Sequence, residues 1–100
     1  MFNTSLSDGN ALAALSGQLT FTDHGAFRDM ARHLVASKAG RLTIDFGGVE
    51  FIDSAGLGML LLLREEAGAT GRPVVLRNAQ GQVKRMFAVS RFDTLFVVEP

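Results

Sequence analysis

The chain has no cysteine, no excess charge of either sign and no long hydrophobic run. Without cysteine there is no disulfide framework and no thiolate chemistry. Lys plus Arg and Asp plus Glu both count 10, a formal net charge of zero; a nucleic-acid binder normally carries a basic excess. The leucine-rich apolar run Met59 to Leu63 is stopped by Arg64-Glu65-Glu66, far short of the roughly 20 residues that span a bilayer. The opening residues, Met1 to Asp8, contain neither a basic region nor an apolar core and do not read as a signal peptide. No repeat, linker or low-complexity segment interrupts the chain. These absences predict a soluble, cytoplasmic protein that binds neither nucleic acid nor membrane.

What is present is globular. The 100 residues are 47% apolar and 20% charged, which predicts one domain over 1–100. A chain of this size buries roughly two-thirds of its unfolded surface without covalent staples. Phe2 to Leu6 alternates weakly, Ser7-Asp8-Gly9-Asn10 has turn chemistry, and Ala11 to Phe21 reads as a second strand, together an antiparallel hairpin. Thr22-Asp23 then reads as a helix N-cap. Phe27, Met30, Ala31, Leu34 and Val35 follow at helical spacing, with Gly40 in the place of a terminating glycine. Leu42 to Phe46 reads as a strand, Ser54 to about Ala67 as a helix, Pro73 to Leu76 as a strand, Gln82 to Ala88 as a short helix and Leu95 to Val98 as a last strand. The order is β-β-α-β-α-β-α-β, an α/β chain with parallel crossovers after the hairpin. Right-handed crossovers then place the Thr22-Asp23 loop and the Asp53-Ser54 turn at one sheet edge, where α/β proteins tend to meet ligands and partners.

The most informative stretch runs from Leu42 to Gly58. A strand enters the two glycines Gly47-Gly48, read as a turn, and an apolar stub, Val49 to Ile52, follows. Asp53-Ser54-Ala55-Gly56-Leu57-Gly58 then opens a leucine-rich helix. Either Asp53 or Ser54 could cap that helix, so one of the two is spare. Gly56 and Gly58 each weaken a helix; they serve either close packing on the sheet or the approach of a partner to Ser54. Leu57, Leu60, Leu61 and Leu63 form the expected core face. Met59 and Leu62 are then surplus, either covered by the neighbouring helix or exposed for docking. Gly56-x-Gly58 lacks the third glycine of a dinucleotide fingerprint, because Leu61 stands there. A hydrolase elbow fails because Ile52 replaces its first glycine. His24 and His33 read as surface or cap residues without metal-ligand spacing. Lys84, Arg85 and Arg91 read as a solvated basic face. No catalytic residue, metal or cofactor is expected.

The segment from Leu42 to Leu63 resembles the phosphorylation-site region of single-domain bacterial anti-sigma-factor antagonists of the STAS family. The likeness extends to Ala14–Phe21 and to Phe92–Val98. It implies a mixed sheet of about four to five strands with helices mainly on one face. It also implies that Ser54 is phosphorylated by an anti-sigma factor that is itself an ATP-binding serine kinase, and that a serine phosphatase reverses the modification. The unphosphorylated form would bind the anti-sigma factor and free the sigma factor. Asp53 matches the family's acidic neighbour, and Asp23 a polar position in the loop facing it. The implied partner-binding residues are Thr22, Asp23, Asp53, Ser54, Gly56, Leu57, Gly58, Met59 and Leu62. Other members are constitutive scaffolds, transporter appendages, or small subunits that bind an ABC-transporter ATPase, and this is the alternative. Either way the protein would be a binding module and not an enzyme.

Overall fold

The computed structural model describes residues 2–6, as backbone, and residues 11–100; the expected turn at Ser7-Asp8-Gly9-Asn10 lies outside them. Five strands form one sheet in the spatial order β1-β2-β3-β4-β5. They are β1 (Phe2–Leu6), β2 (Ala11–Leu19), β3 (Leu42–Ile52), β4 (Val74–Arg77) and β5 (Val97–Glu99). Strands β1 and β2 are antiparallel, and the other three pairings are parallel. Helices α1 (His24–Ala36), α2 (Ser54–Gly68) and α3 (Gly81–Val89) make the three crossovers. Each crossover advances one place in the same direction, so right-handed connections put all three helices on one face.

That face holds the core. Alternate strand residues, among them Ala13, Leu15, Ile44, Phe46 and Leu76, pack under the helices. The helices contribute Phe27, Met30, Ala31 and Leu34 from α1, Leu57, Leu60, Leu63 and Ala67 from α2, and Val83 and Phe87 from α3. Leu61, expected in the core, is 38% exposed; the buried stripe steps from Leu60 to Leu63 and passes it by. A ladder of rings, Phe46–Phe87–Phe92–Phe96, closes the β5 side with centroids 5.0 to 5.4 Å apart.

Several boundaries differ from the sequence pattern. Gly47-Gly48 is not a turn. Strand β3 runs unbroken through it for 11 residues and bulges twice against β2, between Ala14 and Ser16 and between Gly17 and Gln18. The glycines permit the bulge: a Cβ on Gly48 would lie 3.0 Å from the Leu15 carbonyl oxygen, and one on Gly47 3.1 Å from Asp45 Oδ1. Strand β2 stops at Leu19, because Phe21–Asp23 winds into a 3₁₀ turn before α1. Helix α1 ends at Ala36, four residues before Gly40. Ser37 closes it, its hydroxyl donating to the Leu34 carbonyl at 2.7 Å. Arg72 adds a second closure, its guanidinium donating to the carbonyls of Val35, Ser37 and Ala39. The orphan carbonyls of a helix end are thus satisfied from across the fold. Strand β4 runs from Val74 to Arg77, one residue later than expected, and α3 is one residue longer at each end. The last strand begins at Val97 and not at Leu95, because a 3₁₀ turn at Phe92–Thr94 drives Phe92 and Phe96 into the core.

Candidate functional site

Two chain segments meet where β2 and β3 end. Asp53 leaves β3 in an extended conformation and caps α2, its Oδ1 accepting the Gly56 amide at 2.7 Å. Its Oδ2 accepts the Phe21 amide at 3.3 Å, and its own amide donates to the Leu19 carbonyl at 3.3 Å. One carboxylate therefore caps the helix and bolts the β2–α1 connection beside it. This bears out the expected meeting of the two loops at one edge. It also resolves which of the pair is spare: Asp53 takes the cap, worth about 1 kcal/mol. The Ser54 side chain is exposed, and its hydroxyl makes no hydrogen bond to any described residue. It stands in the first turn of α2, whose positive dipole end and free amides favour an anion.

The facing loop is built with equal economy. Asp23 stands at the N-cap position of α1 but turns its carboxylate back to Thr20, accepting the Thr20 amide at 2.8 Å and hydroxyl at 3.2 Å. Asp23 thus closes the 3₁₀ turn and does not cap α1, the role expected for Thr22-Asp23. Thr22 is exposed, and its hydroxyl lies 2.9 Å from that of Thr20. The turn presents Phe21, which is 66% exposed and stacked on His24 at 5.0 Å. His24 Nδ1 lies 3.0 Å from the Phe21 carbonyl oxygen, which fixes the pair.

The two glycines part company. A Cβ on Gly56 would sit 2.5 Å from the Leu19 carbonyl oxygen and 2.7 Å from Ile52 Cγ1, so Gly56 is there for packing. Around Gly58, apart from its chain neighbours and the backbone of its own helix, no atom of the described residues lies within 4 Å of such a Cβ, and the residue is half-exposed. Leu57 is buried and belongs to the core, not to the exposed face. Met59 is half-buried against the core, while Leu62 is 60% exposed. Between α1 and α2 lies a shallow cavity of about 190 Å³, lined among others by Phe27, Arg28, Ala31, Met59, Leu62 and Glu66. The sequence pattern places Phe21 at the end of a strand and His24 as a surface or cap residue, and marks neither for this site. The available signal was an exposed-type position: an aromatic directly before Thr22-Asp23, after the last buried strand residue. Among the described residues no group of His, Asp or Glu could hold a metal, and no helix is long and apolar enough to cross a membrane.

A family model described as "Mlab, STAS domain" matches residues 2–99. The chain belongs to that STAS family. A STAS-domain containing protein of Pseudomonas aeruginosa (strain UCBPP-PA14) is 37% identical over 93 residues, which covers 92% of this chain and 91% of the relative. Among solved structures, an anti-sigma factor antagonist from Mycobacterium paratuberculosis superposes with a TM-score of 0.84 at 28% identity, covering 100% of this chain and 85% of its own. The unphosphorylated form of the anti-sigma factor antagonist SpoIIAA superposes at 0.77 with 19% identity, covering 100% of this chain and 87% of its own. SpoIIAA is also known in a phosphorylated form, described as a Bacillus cell fate determinant. The STAS domain of a SulP transporter from Vibrio cholerae superposes at 0.78 with 21% identity, covering 96% of this chain and 77% of its own. The STAS fold here is thus shared with antagonists and with transporter domains alike.

Proposed function

We propose that this STAS chain is a phospho-regulated anti-sigma factor antagonist. In this reading the unphosphorylated form binds an anti-sigma factor that is a serine kinase, which frees the sigma factor. The kinase transfers the γ-phosphoryl group of ATP to Ser54 Oγ, with loss of the hydroxyl proton and release of ADP. A serine phosphatase restores the hydroxyl. The observation that carries the reading is the division of labour at the end of β3: Asp53 makes the cap and the loop contact, and Ser54 is left exposed, its hydroxyl unbonded among the described residues. A phosphate there adds about −1.5 to −2 charge beside Asp53 without removing a contact that holds the fold. The docking face then comprises Phe21, Thr22, Ser54, Gly58, Met59 and Leu62, with Asp23 and Asp53 holding it in shape. Docking is ended by charge and desolvation at that edge.

The test uses anti-sigma factor kinases encoded near the gene. Phosphopeptide mapping after incubation with ATP is expected to place one phosphate on Ser54; modification at Ser16, Ser37 or Ser90 instead would sink the reading. By titration calorimetry, Ser54→Ala is expected to keep the partner, and Ser54→Asp to weaken it about tenfold or more. Equal affinities for the two variants would remove the switch.

A second reading is a constitutive STAS scaffold, or a small subunit docking on an ABC-transporter ATPase through the same face; the sharing of this fold with a transporter STAS domain keeps it in play. It is separated by the same pair of variants, because such a partner would be held equally by Ser54→Ala and Ser54→Asp and would transfer no phosphate.

A further inference from the structure

Strand β3 outruns its neighbour. It pairs with β4 only from Leu42 opposite Val74 to Asp45 opposite Arg77, yet it continues to Ile52. On the β4 side, among the described residues, the end of β3 has no strand to bond. At Ile52 that place is taken by a side chain. Gln82, in the first turn of α3, accepts the Ile52 amide on Oε1 at 2.9 Å and donates from Nε2 to the Ile52 carbonyl at 2.8 Å. A carboxamide carries a donor and an acceptor side by side, as a peptide group does. Gln82 therefore stands in for one residue of the missing strand.

The position is built for this. The chain passes from β4 to α3 through two residues with left-handed backbone, Asn78 at φ 63° and Gly81 at φ 55°. Asn and Gly are the residue types that adopt that conformation most readily. The Ile52 side chain is fully buried, and the next residue is Asp53, whose amide is held on the opposite side by the Leu19 carbonyl. Two clamps thus set the direction in which the chain leaves the sheet: β2 on one side and Gln82 on the other. Everything downstream, the Asp53 cap and the aim of Ser54, inherits that direction.

We infer that Gln82 is a positioning residue for the Ser54 site, setting the exit of β3 from the α3 side without touching a partner. The geometric part stands alone; its consequence for docking rests on the reading of Ser54 above. The test is Gln82→Met, which keeps length and helix-forming character and removes both hydrogen bonds. Gln82→Glu is the companion, keeping the acceptor and removing the donor. Amide NMR spectra and exchange rates are recorded for each, with melting curves and titrations against the kinase.

In both variants the Ile52, Asp53, Ser54 and Gly56 amide resonances are expected to move; in Gln82→Met, which loses the acceptor, the Ile52 amide should also exchange about tenfold or more faster, and in Gln82→Glu, which keeps it, by less. The α1 resonances should stay in place and the melt remain cooperative. Partner affinity should fall about tenfold. Shifts confined to α3, with Asp53 and Ser54 unmoved, overturn the inference. So does full partner affinity in Gln82→Met, which would make the residue a packing element only. If the unaltered protein binds no such kinase, the reading of Ser54 fails, and the amide spectra still decide the role of Gln82.

Discussion

Two glycines two residues apart in one helix do different work. At Gly56 a methyl group would collide with backbone, the Leu19 carbonyl oxygen at 2.5 Å, and backbone cannot rotate away. Gly56→Ala is expected to destabilise by about 1–3 kcal/mol, several degrees of melting temperature for a domain of this size. At Gly58 a methyl group enters open space. Gly58→Ala should gain up to about 1 kcal/mol from helix propensity alone. Thermal melts of the two variants side by side check this, and equal shifts would contradict the placement of the α2 first turn against β2. Gly58→Leu carries the functional version: an intact melt with lost partner binding is expected if this face docks.

Among elements, the sheet shows the sharpest contrast between its faces. The helix-free face carries Ala14, Asp45, Arg77 and Glu99 in one cross-strand row. Asp45 lies 3.6 Å from Arg77 and accepts hydrogen bonds from the Gly47 amide and the Asn78 carboxamide. Burial pushes the Asp45 carboxyl upward, but the two hydrogen bonds and the Arg77 charge outweigh it and hold the group below its ordinary 3.8. A depressed carboxyl contributes stability that is complete above the unfolded value and is lost as pH falls through the lower folded value. Melting temperature should therefore drop on acidification below about pH 4. Asp45→Asn should be less stable near neutrality and decline less steeply in acid. Calorimetry across that range checks the slope, and parallel curves for the two proteins would show that Asp45 is not a source of the acid sensitivity.

At the scale of the whole molecule, the candidate docking face exists only because distant segments are brought together. Phe21 comes from the β2–α1 connection and Leu62 from α2, and the Asp53 carboxylate links their supports. Both side chains are mostly exposed, at 66% and 60%, so truncation removes little core. Phe21→Ala and Leu62→Ala should each move stability by no more than about 0.5 kcal/mol. If Phe21 is the aromatic anchor of the interface, its loss should cost about 2 kcal/mol of affinity, roughly thirtyfold. Val89→Ala is the control, 81% exposed on α3 outside this face, and should leave affinity unchanged. An interface that loses more from Val89 than from Phe21 lies elsewhere on the molecule.

Sequence alone determined the element order, the hairpin followed by crossovers, and the meeting of the Thr22-Asp23 loop with the Asp53-Ser54 turn. These follow from local periodicity and from the handedness of crossovers, which every chain of this pattern obeys. The STAS family was legible for a related reason: the strand-turn-helix segment around Ser54 is continuous in sequence. What depended on contacts between distant residues was not legible. Gly47-Gly48 reads locally as a turn, and only the pairing of β3 with β2 makes it a bulge. Gly40 has the local form of a helix stop, but Ser37 and the remote Arg72 close α1 earlier. The choice between Asp53 and Ser54 as cap, and between Gly56 and Gly58 as the packed glycine, was decided by the position of Leu19 and Phe21. The clamp of Gln82 on Ile52 joins residues 30 apart in sequence, and no periodicity records it, because a single side chain bonding to backbone leaves no repeating pattern.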